Sequence, residues 1–237
     1  MNLLQIKKIL HCLYHPSFFR SYINGVCPLF EIKEIFKYIK NVGMLIDVGS
    51  NKGQFAILFQ YFFPQAKIIS FEPQKEFLKI QKKILFKNTK FYSICLGNKN
   101  ENSYLNVTKK KDSSSILKPN ILKDSIYQVI NKMKIKVRRL DDVLKIRYKK
   151  KILIKLDVQG YEKKVLLGAT KSLKKIDYIL IELSSSSIYK KQSTKKDIVK
   201  YLNKKNFFLL KEINKGFITK KIYQTDCLFH NKKCLDF

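Results

Sequence analysis

The chain has 237 residues, 45% hydrophobic and 13% aromatic, enough for one α/β domain with an elaboration, and this excludes a disordered polymer. Its formal net charge of +31 invites anionic partners, but among 49 basic residues only Arg20, Arg138, Arg139 and Arg147 are Arg. Arg carries most fork-like recognition of phosphates and bases, so no specific nucleic-acid face is expected.

The remaining basic residues are Lys scattered among Ile, Asn, Phe and Tyr, which reads as compositional drift. The charge still favours association with acidic membranes or anionic glycans. Cys12, Cys27, Cys95, Cys227 and Cys234 show no framework spacing. With no apolar signal segment or membrane-length run visible, a reduced, cytoplasmic protein is expected.

In chain order, Leu3, Ile6, Leu10 and Leu13 set a helical period over residues 2–14. The run HPSFFR breaks it, and residues 30–39 read as a second helix ending near Gly43. These make an N-terminal helical segment (1–42) ahead of a main domain (43–237). The first helix is read as packing on the core in preference to lying on a membrane surface, which stays the second option.

From Met44 onward strands and helices alternate. Strands are predicted at 44–48, 67–71, 90–95, within KILIKLDVQG and within IDYILIELS; helices at 54–63, 74–86, within YEKKVLLGATKSL and at 195–204. The stretch between Cys95 and the fourth strand reads as irregular. The tail reads as two strands, 206–211 and 218–229, joined through NKG. Repeated β-α units predict a doubly wound, mostly parallel sheet with helices on both faces, closed by an antiparallel C-terminal edge hairpin.

The first β-α turn carries chemistry-bearing residues. Asp47-x-Gly49-x-Asn51-x-Gly53 lets the backbone approach a ligand, and the following helix offers free N–H groups. Glu72 ends the second strand, where an acid can accept hydrogen bonds from both ribose hydroxyls. The glycine spacing misses G-x-G-x-x-G, so a dinucleotide fits poorly. A connecting turn without a ligand is the bland alternative, and Glu72-Pro73 in that position weighs against it.

The blocks IDVGSNKGQFA, ISFEPQ, CLGNKNE, VRRLDDVL, IKLDVQGYEKKVLLGA and IDYILIELS, in that order, resemble the FkbM family of S-adenosylmethionine-dependent methyltransferases over residues 44–184. Ser50 stands where the family often has Ala, and Gln159 where it often has Glu. The resemblance implies a class I methyltransferase, Rossmann-like fold with N-terminal helices and S-adenosylmethionine as cofactor. It implies that Gly49, Ser50, Asn51 and Gly53 line the methionine part, with Asp47 near its ammonium. Glu72, beside Pro73, would hold the ribose, and Cys95, Leu96 and Gly97 would flank the adenine.

Lys155 and Asp157 interrupt a strand otherwise suited to burial, and their spacing points both side chains the same way. Glu162 follows in the first helical turn and Glu182 ends the fifth strand. Buried charges need partners, so a purely structural set of ion pairs is one reading. The other makes Asp157 the group that orients or deprotonates an acceptor hydroxyl, with Lys155 and Glu162 beside it. In the family a Ser-containing segment lies over the site, which here implies Ser113, Ser114 and Ser115 as substrate contacts, a solvated loop being the bland alternative. SSSSIY after Glu182 could serve similarly at the rim, and Glu182 is itself a substrate-binding candidate. Asp141 reads as a helix N-cap.

Cys227, His230 and Cys234 lack a fourth ligand for a structural zinc, and no paired metal carboxylates are visible; a metal-independent reaction is expected. The reading is therefore an O-methyltransferase acting on a hydroxyl of a sugar, a saccharide-lipid precursor or a secondary metabolite, a class taken from the resemblance. An RNA methyltransferase and a non-catalytic polybasic binding domain with a vestigial fold are the rivals.

Overall fold

The computed structural model describes residues 15–85, 88–120, 125–147, 150–218 and 222–235. The helix expected over residues 2–14, and the side chain of Cys234, lie outside them.

HPSFFR starts a helix, α1 (Pro16–Ile23), because Pro occupies its first turn, where the missing N–H costs nothing. A 3-10 turn (Phe30–Lys37) replaces the α-helix expected there. Phe18, Ile32 and Ile35 are buried against Leu45 and Phe55, so residues 15–39 pack on the main core.

Strand β1 (Val42–Val48) is buried at every position, as a central parallel strand must be. Gly53, at φ +90°, begins α2 (Gln54–Phe62). There follow β2 (Lys67–Phe71), α3 (Lys75–Ile84) and β3 (Thr89–Tyr92). The third strand was expected to run on to Cys95; instead the chain leaves the main sheet at Ser93.

A second sheet then occupies the stretch read as irregular. Its strands are β4 (Cys95–Leu96), β5 (Glu101–Thr108) and β6 (Val129–Arg138), in the order β4-β6-β5. Its buried apolar cluster is small, made of Leu105, Val107, Ile135 and Val137, and the alternate positions of β6 are exposed, many of them Lys. So thin an apolar stripe hides the strand period.

The short helix α4 (Leu140–Val143) leads to β7 (Lys151–Leu156), α5 (Glu162–Leu167), β8 (Tyr178–Ser184) and α6 (Lys195–Asn203). Asp141 caps a later turn, not its own helix: its carboxylate accepts from the backbone N–H groups of Lys171 and Ser172 at 2.9 and 2.8 Å. Thr194 and Asp197 form a capping box on α6.

The chain ends in β9 (Phe207–Phe217) and β10 (Tyr223–Asn231). NKG lies inside β9 and does not turn the chain; the connection falls at 218–222, where Ile218 N–H donates to Ile222 O. The main sheet has the order β3-β2-β1-β7-β8-β10-β9, and β10 alone runs against the others. The last strand thus inserts between β8 and β9, which leaves β9 as the edge.

Successive residues of the strands feed two cores. Ile46, Ile154 and Ile181 meet α5 and α6 on one face. Leu45, Leu153 and Leu180 meet α2 and the N-terminal segment on the other. The parallel strands all end at one rim, where ligands bind open α/β sheets.

Candidate active site

At that rim lies a cavity of about 420 Å³. Its first half is made by the β1–α2 turn. Gly49 has φ +74°, and a Cβ there would run into the carbonyl of Asp157, so only glycine lets the turn close against the end of β7. Its N–H and that of Ser50 donate to Phe71 O at 3.0 and 3.2 Å. Beneath them Ser50, Ser70 and Gln81 close a buried side-chain ring: Ser50 Oγ to Ser70 Oγ 2.7 Å, Ser70 Oγ to Gln81 Oε1 2.7 Å, and Gln81 Nε2 to Ser50 Oγ 2.8 Å. The turn is therefore rigid before any ligand arrives.

Glu72 sits directly against this turn. Its Oε2 accepts the Asn51 N–H at 2.9 Å and its Oε1 the Gln74 N–H at 2.8 Å, so the side chain is fixed. Each carboxylate oxygen keeps a further acceptor direction, enough for two vicinal hydroxyls. Burial pushes its pKa up to about 7, against the pull of those two N–H groups and with help from the charges of Asp47 and Asp157. Pro73, Cys95, Leu96 and Phe71 line the wall beyond it.

The second half collects side chains from distant parts of the chain. Lys155 Nζ meets Asp157 Oδ2 at 2.9 Å and lies 5.7 Å from the centre of the Phe55 ring. Burial alone would lower the Lys155 pKa; the charges of Asp157 and Asp47 outweigh it and raise it. Gln159 Nε2 donates to Asp157 Oδ1 at 2.9 Å and approaches Glu182 Oε2 at 3.4 Å, while Gln224 Nε2 donates to the same Glu182 oxygen at 2.7 Å.

Over this floor folds the segment that joins β5 to β6. Ser115 Oγ donates to Gln159 O at 2.7 Å, and the buried Tyr189 hydroxyl lies 2.8 Å from Ser113 O and 2.9 Å from Gln159 Oε1. Ser113, Ser114 and Ser115 thereby form one wall of the cavity.

The structure brings most of the expected site residues to one place: Gly49, Ser50, Asn51, Glu72, Pro73, Cys95, Leu96, Ser113, Ser114, Ser115, Lys155, Asp157 and Glu182 all line the cavity. Asp47, Gly53, Gly97 and Glu162 do not. Gly53 serves as the left-handed cap of α2, and Gly97 packs where a Cβ would press on Val137 and Tyr161. Glu162 accepts the Gly160 and Val158 N–H groups at 2.9 and 3.3 Å and fixes the loop after β7; burial raises its pKa to about 7. Asp47 is fully buried with neither oxygen hydrogen-bonded among the described residues, and burial raises its pKa to about 6, opposed by Lys155 and reinforced by Asp157.

Sequence reasoning missed Gln54, Phe55, Gln74, Gln159, Tyr161 and Gln224 as lining residues. Gln159 was noticed only as a departure from the family's Glu. Its signal was there: a long polar side chain two residues beyond a strand-end acid.

Asp47, Glu72, Asp157, Glu162, Glu182 and Asp226 act on one another electrostatically across this floor, with Lys155 among them. In a chain of net charge +31 these acids are gathered at and behind one wall of the cavity. The rigid glycine turn, the fixed acid at the end of β2 and the cluster of acids around Lys155 are together the site of a Rossmann-like methyltransferase.

Residues 47–209 match the family described as the methyltransferase FkbM domain, more than half of the chain. The chain belongs to that family and is an S-adenosylmethionine-dependent methyltransferase. No curated protein matches the sequence. Among solved structures it is similar to magnesium protoporphyrin IX methyltransferase from Synechocystis PCC 6803 with bound S-adenosylmethionine (9% identity, TM-score 0.46, covering 98% of this chain and 85% of that one). It is similar also to a tRNA methyltransferase of M. jannaschii (13%, TM-score 0.46, 84% and 48%) and to TrmK of M. capricolum in complex with S-adenosylhomocysteine (11%, TM-score 0.42, 86% and 68%).

The residues present fit S-adenosylmethionine. Glu72 would hold the ribose hydroxyls, the turn from Gly49 to Asn51 would face the methionine part, and Cys95 and Leu96 would border the adenine. Bound there, it supplies an electrophilic methyl group on a sulfonium. Among the described residues no cluster of His, Cys, Asp or Glu has the geometry of a metal site, and no helix is long and apolar enough to cross a membrane.

Proposed function

We propose that this enzyme methylates a hydroxyl of a polyhydroxylated acceptor: a sugar, a saccharide-lipid precursor or a secondary metabolite. The observation that carries the reading is the far half of the cavity, where Asp157, Gln159, Glu182 and Gln224 present carboxylates and amides beside the Ser113–Ser115 wall. Carboxylates and amides accept from and donate to neighbouring hydroxyls, and Tyr127, Tyr161 and Phe217 on the same cavity supply apolar faces for a sugar ring.

Asp157 orients the acceptor hydroxyl and Lys155 fixes Asp157. Holding the acceptor oxygen in line with the methyl group supplies much of the acceleration by position alone. An RNA acceptor finds less support. Arg138 and Arg139 spend their guanidinium groups on Glu101 and Val137 carbonyls and on Asp141, and neither lines the cavity.

The test is methyl transfer from radiolabelled S-adenosylmethionine to a panel of free sugars, sugar nucleotides, lipid-linked saccharides and RNA at physiological salt. Label in a saccharide arm, stable to base as an ether is, supports the reading; label in RNA alone overturns it. Co-sedimentation with anionic vesicles, with and without residues 1–14, tests the membrane contact that is the second option for the N-terminal segment.

A further inference from the structure

We propose that Glu182 is the general base that takes the acceptor's proton, while Asp157, held at both of its oxygens, only positions the acceptor. The inference rests on the hydroxyl-methylating reading above and assigns the proton within it.

Asp157 is poorly placed to accept a proton. Its Oδ2 is paired with Lys155 Nζ at 2.9 Å, and its Oδ1 receives the Gln159 amide at 2.9 Å. Lys155 is itself buried, so neutralising Asp157 would leave an ammonium without the partner it touches, a costly state inside a protein. Glu162 is no alternative, since its Oε1 is engaged by the Gly160 and Val158 N–H groups and it does not line the cavity.

Glu182 differs on each count. It lines the cavity, and its Oε2 is anchored by two neutral amides, Gln224 at 2.7 Å and Gln159 at 3.4 Å. No described cation lies within ion-pairing distance of it, and its Oε1 accepts no hydrogen bond among the described residues. Protonating it breaks no ion pair. The charged and titratable groups that face it are Asp157 and Lys155 from β7 and its loop, Glu162 from α5, Asp226 from β10 and Tyr189 from the loop after β8. Burial, with the charges of Asp157 and Asp226, raises its pKa well above the ordinary carboxylate range, against Lys155. That makes it a stronger base than an exposed Glu, nearer the range where general bases work best.

Gln159 keeps the two carboxylates in these different roles. Its Nε2 faces the two acids, which accept from it, and its Oε1 lies 2.9 Å from the Tyr189 hydroxyl. In the transfer, the proton leaves the acceptor oxygen for Glu182 Oε1 and the O–H electron pair stays on that oxygen. The oxygen bonds the methyl carbon, and the pair of the breaking carbon–sulfur bond stays on sulfur.

Two measurements test this. The first is a carbon-13 NMR titration of the Glu side-chain carboxyls in the full chain, with the Glu182→Gln variant assigning the signal. The expected result is a Glu182 midpoint above the ordinary value of about 4.3, and a midpoint at or below it overturns the proposal. The second is steady-state kinetics on whichever saccharide acceptor the panel returns. Glu182→Gln is expected to lower kcat by roughly 10²–10⁴-fold, to change the acceptor KM far less than kcat, to leave S-adenosylhomocysteine affinity within about threefold, and to abolish the fall in rate toward low pH. Asp157→Asn is expected to raise the acceptor KM as well. A Glu182→Gln kcat within about threefold of wild type overturns the proposal while leaving the hydroxyl reading intact. Absence of saccharide methylation overturns both, and the titration still reports on Glu182 independently.

Discussion

The two halves of the cavity are built in opposite ways. The half that faces the cofactor is made from residues close in sequence, the β1–α2 turn and the end of β2, and its polar contacts are largely backbone N–H groups, braced from beneath by Ser50, Ser70 and Gln81. The half proposed to face the acceptor is made almost wholly of side chains, drawn from the segment before β6, the loop after β7, the end of β8, Tyr189 and β10. A backbone-built cradle depends on conformation and tolerates many side chains, whereas a side-chain network depends on the identity of each member. The first half therefore suits a cofactor shared by a whole family, and the second can change its acceptor with a few substitutions.

The largest expected effect breaks the backbone-built half. Gly49→Ala places a methyl group against the Asp157 carbonyl at φ +74°, so either the turn or the end of β7 must move. S-adenosylhomocysteine binding, measured by calorimetry, is expected to fall by more than about 100-fold, with a lowered melting temperature. Affinity near wild type would show that the two halves do not share this contact.

Glu72→Ala comes next. It removes the proposed ribose acceptor and also the partner of the Asn51 and Gln74 N–H groups, and S-adenosylhomocysteine affinity is expected to fall by roughly 10- to 100-fold, the scale of a lost charged hydrogen-bond pair. The same group gives a pH signature. Its pKa in the free protein is raised to about 7 by burial. Only the carboxylate accepts from both ribose hydroxyls, so affinity is full above pH 7 and falls as pH drops through it, by up to about tenfold per unit. Glu72→Gln should flatten that slope; a slope that survives the substitution would assign it to another acid.

How far each half could be read from sequence follows from the same contrast. Gly49, Asn51, Gly53 and Glu72 lie within a span of 24 residues in which strand, turn and helix follow each other, so local spacing exposed them. Even there, spacing could not say that Gly53 caps α2 or that Asp47 stays off the cavity wall, because both depend on which face of β1 meets which core. The acceptor half has no such locality. Gln224 reaches Glu182 only because β10 inserts beside β8, which the hairpin reading through NKG did not anticipate. Tyr189 reaches Gln159 only because the chain on either side of Pro119 pairs with the loop after β8. The serines were found through the family resemblance, and what anchors them was not.

Tyr189→Phe offers the smallest effect and separates the halves most finely. The ring is fully buried and stays in place, so the substitution removes one hydroxyl from beside Ser113 O and Gln159 Oε1. Losing one neutral hydrogen bond of this kind costs about 1 kcal/mol, which lowers the melting temperature by roughly 2–4 °C for a chain of this size. The functional consequence lies in orientation. Without the hydroxyl the Gln159 Oε1 loses a partner, and the amide is held only through its Nε2 at Asp157 and Glu182, so it is less firmly placed in the cavity. The acceptor KM is then expected to rise several-fold, by kinetics on the saccharide found in the panel, while S-adenosylhomocysteine affinity stays unchanged. An equal loss on the cofactor side would mean that the Ser113–Ser115 wall braces both halves, and that the division between a backbone cradle and a side-chain network is not how this cavity works.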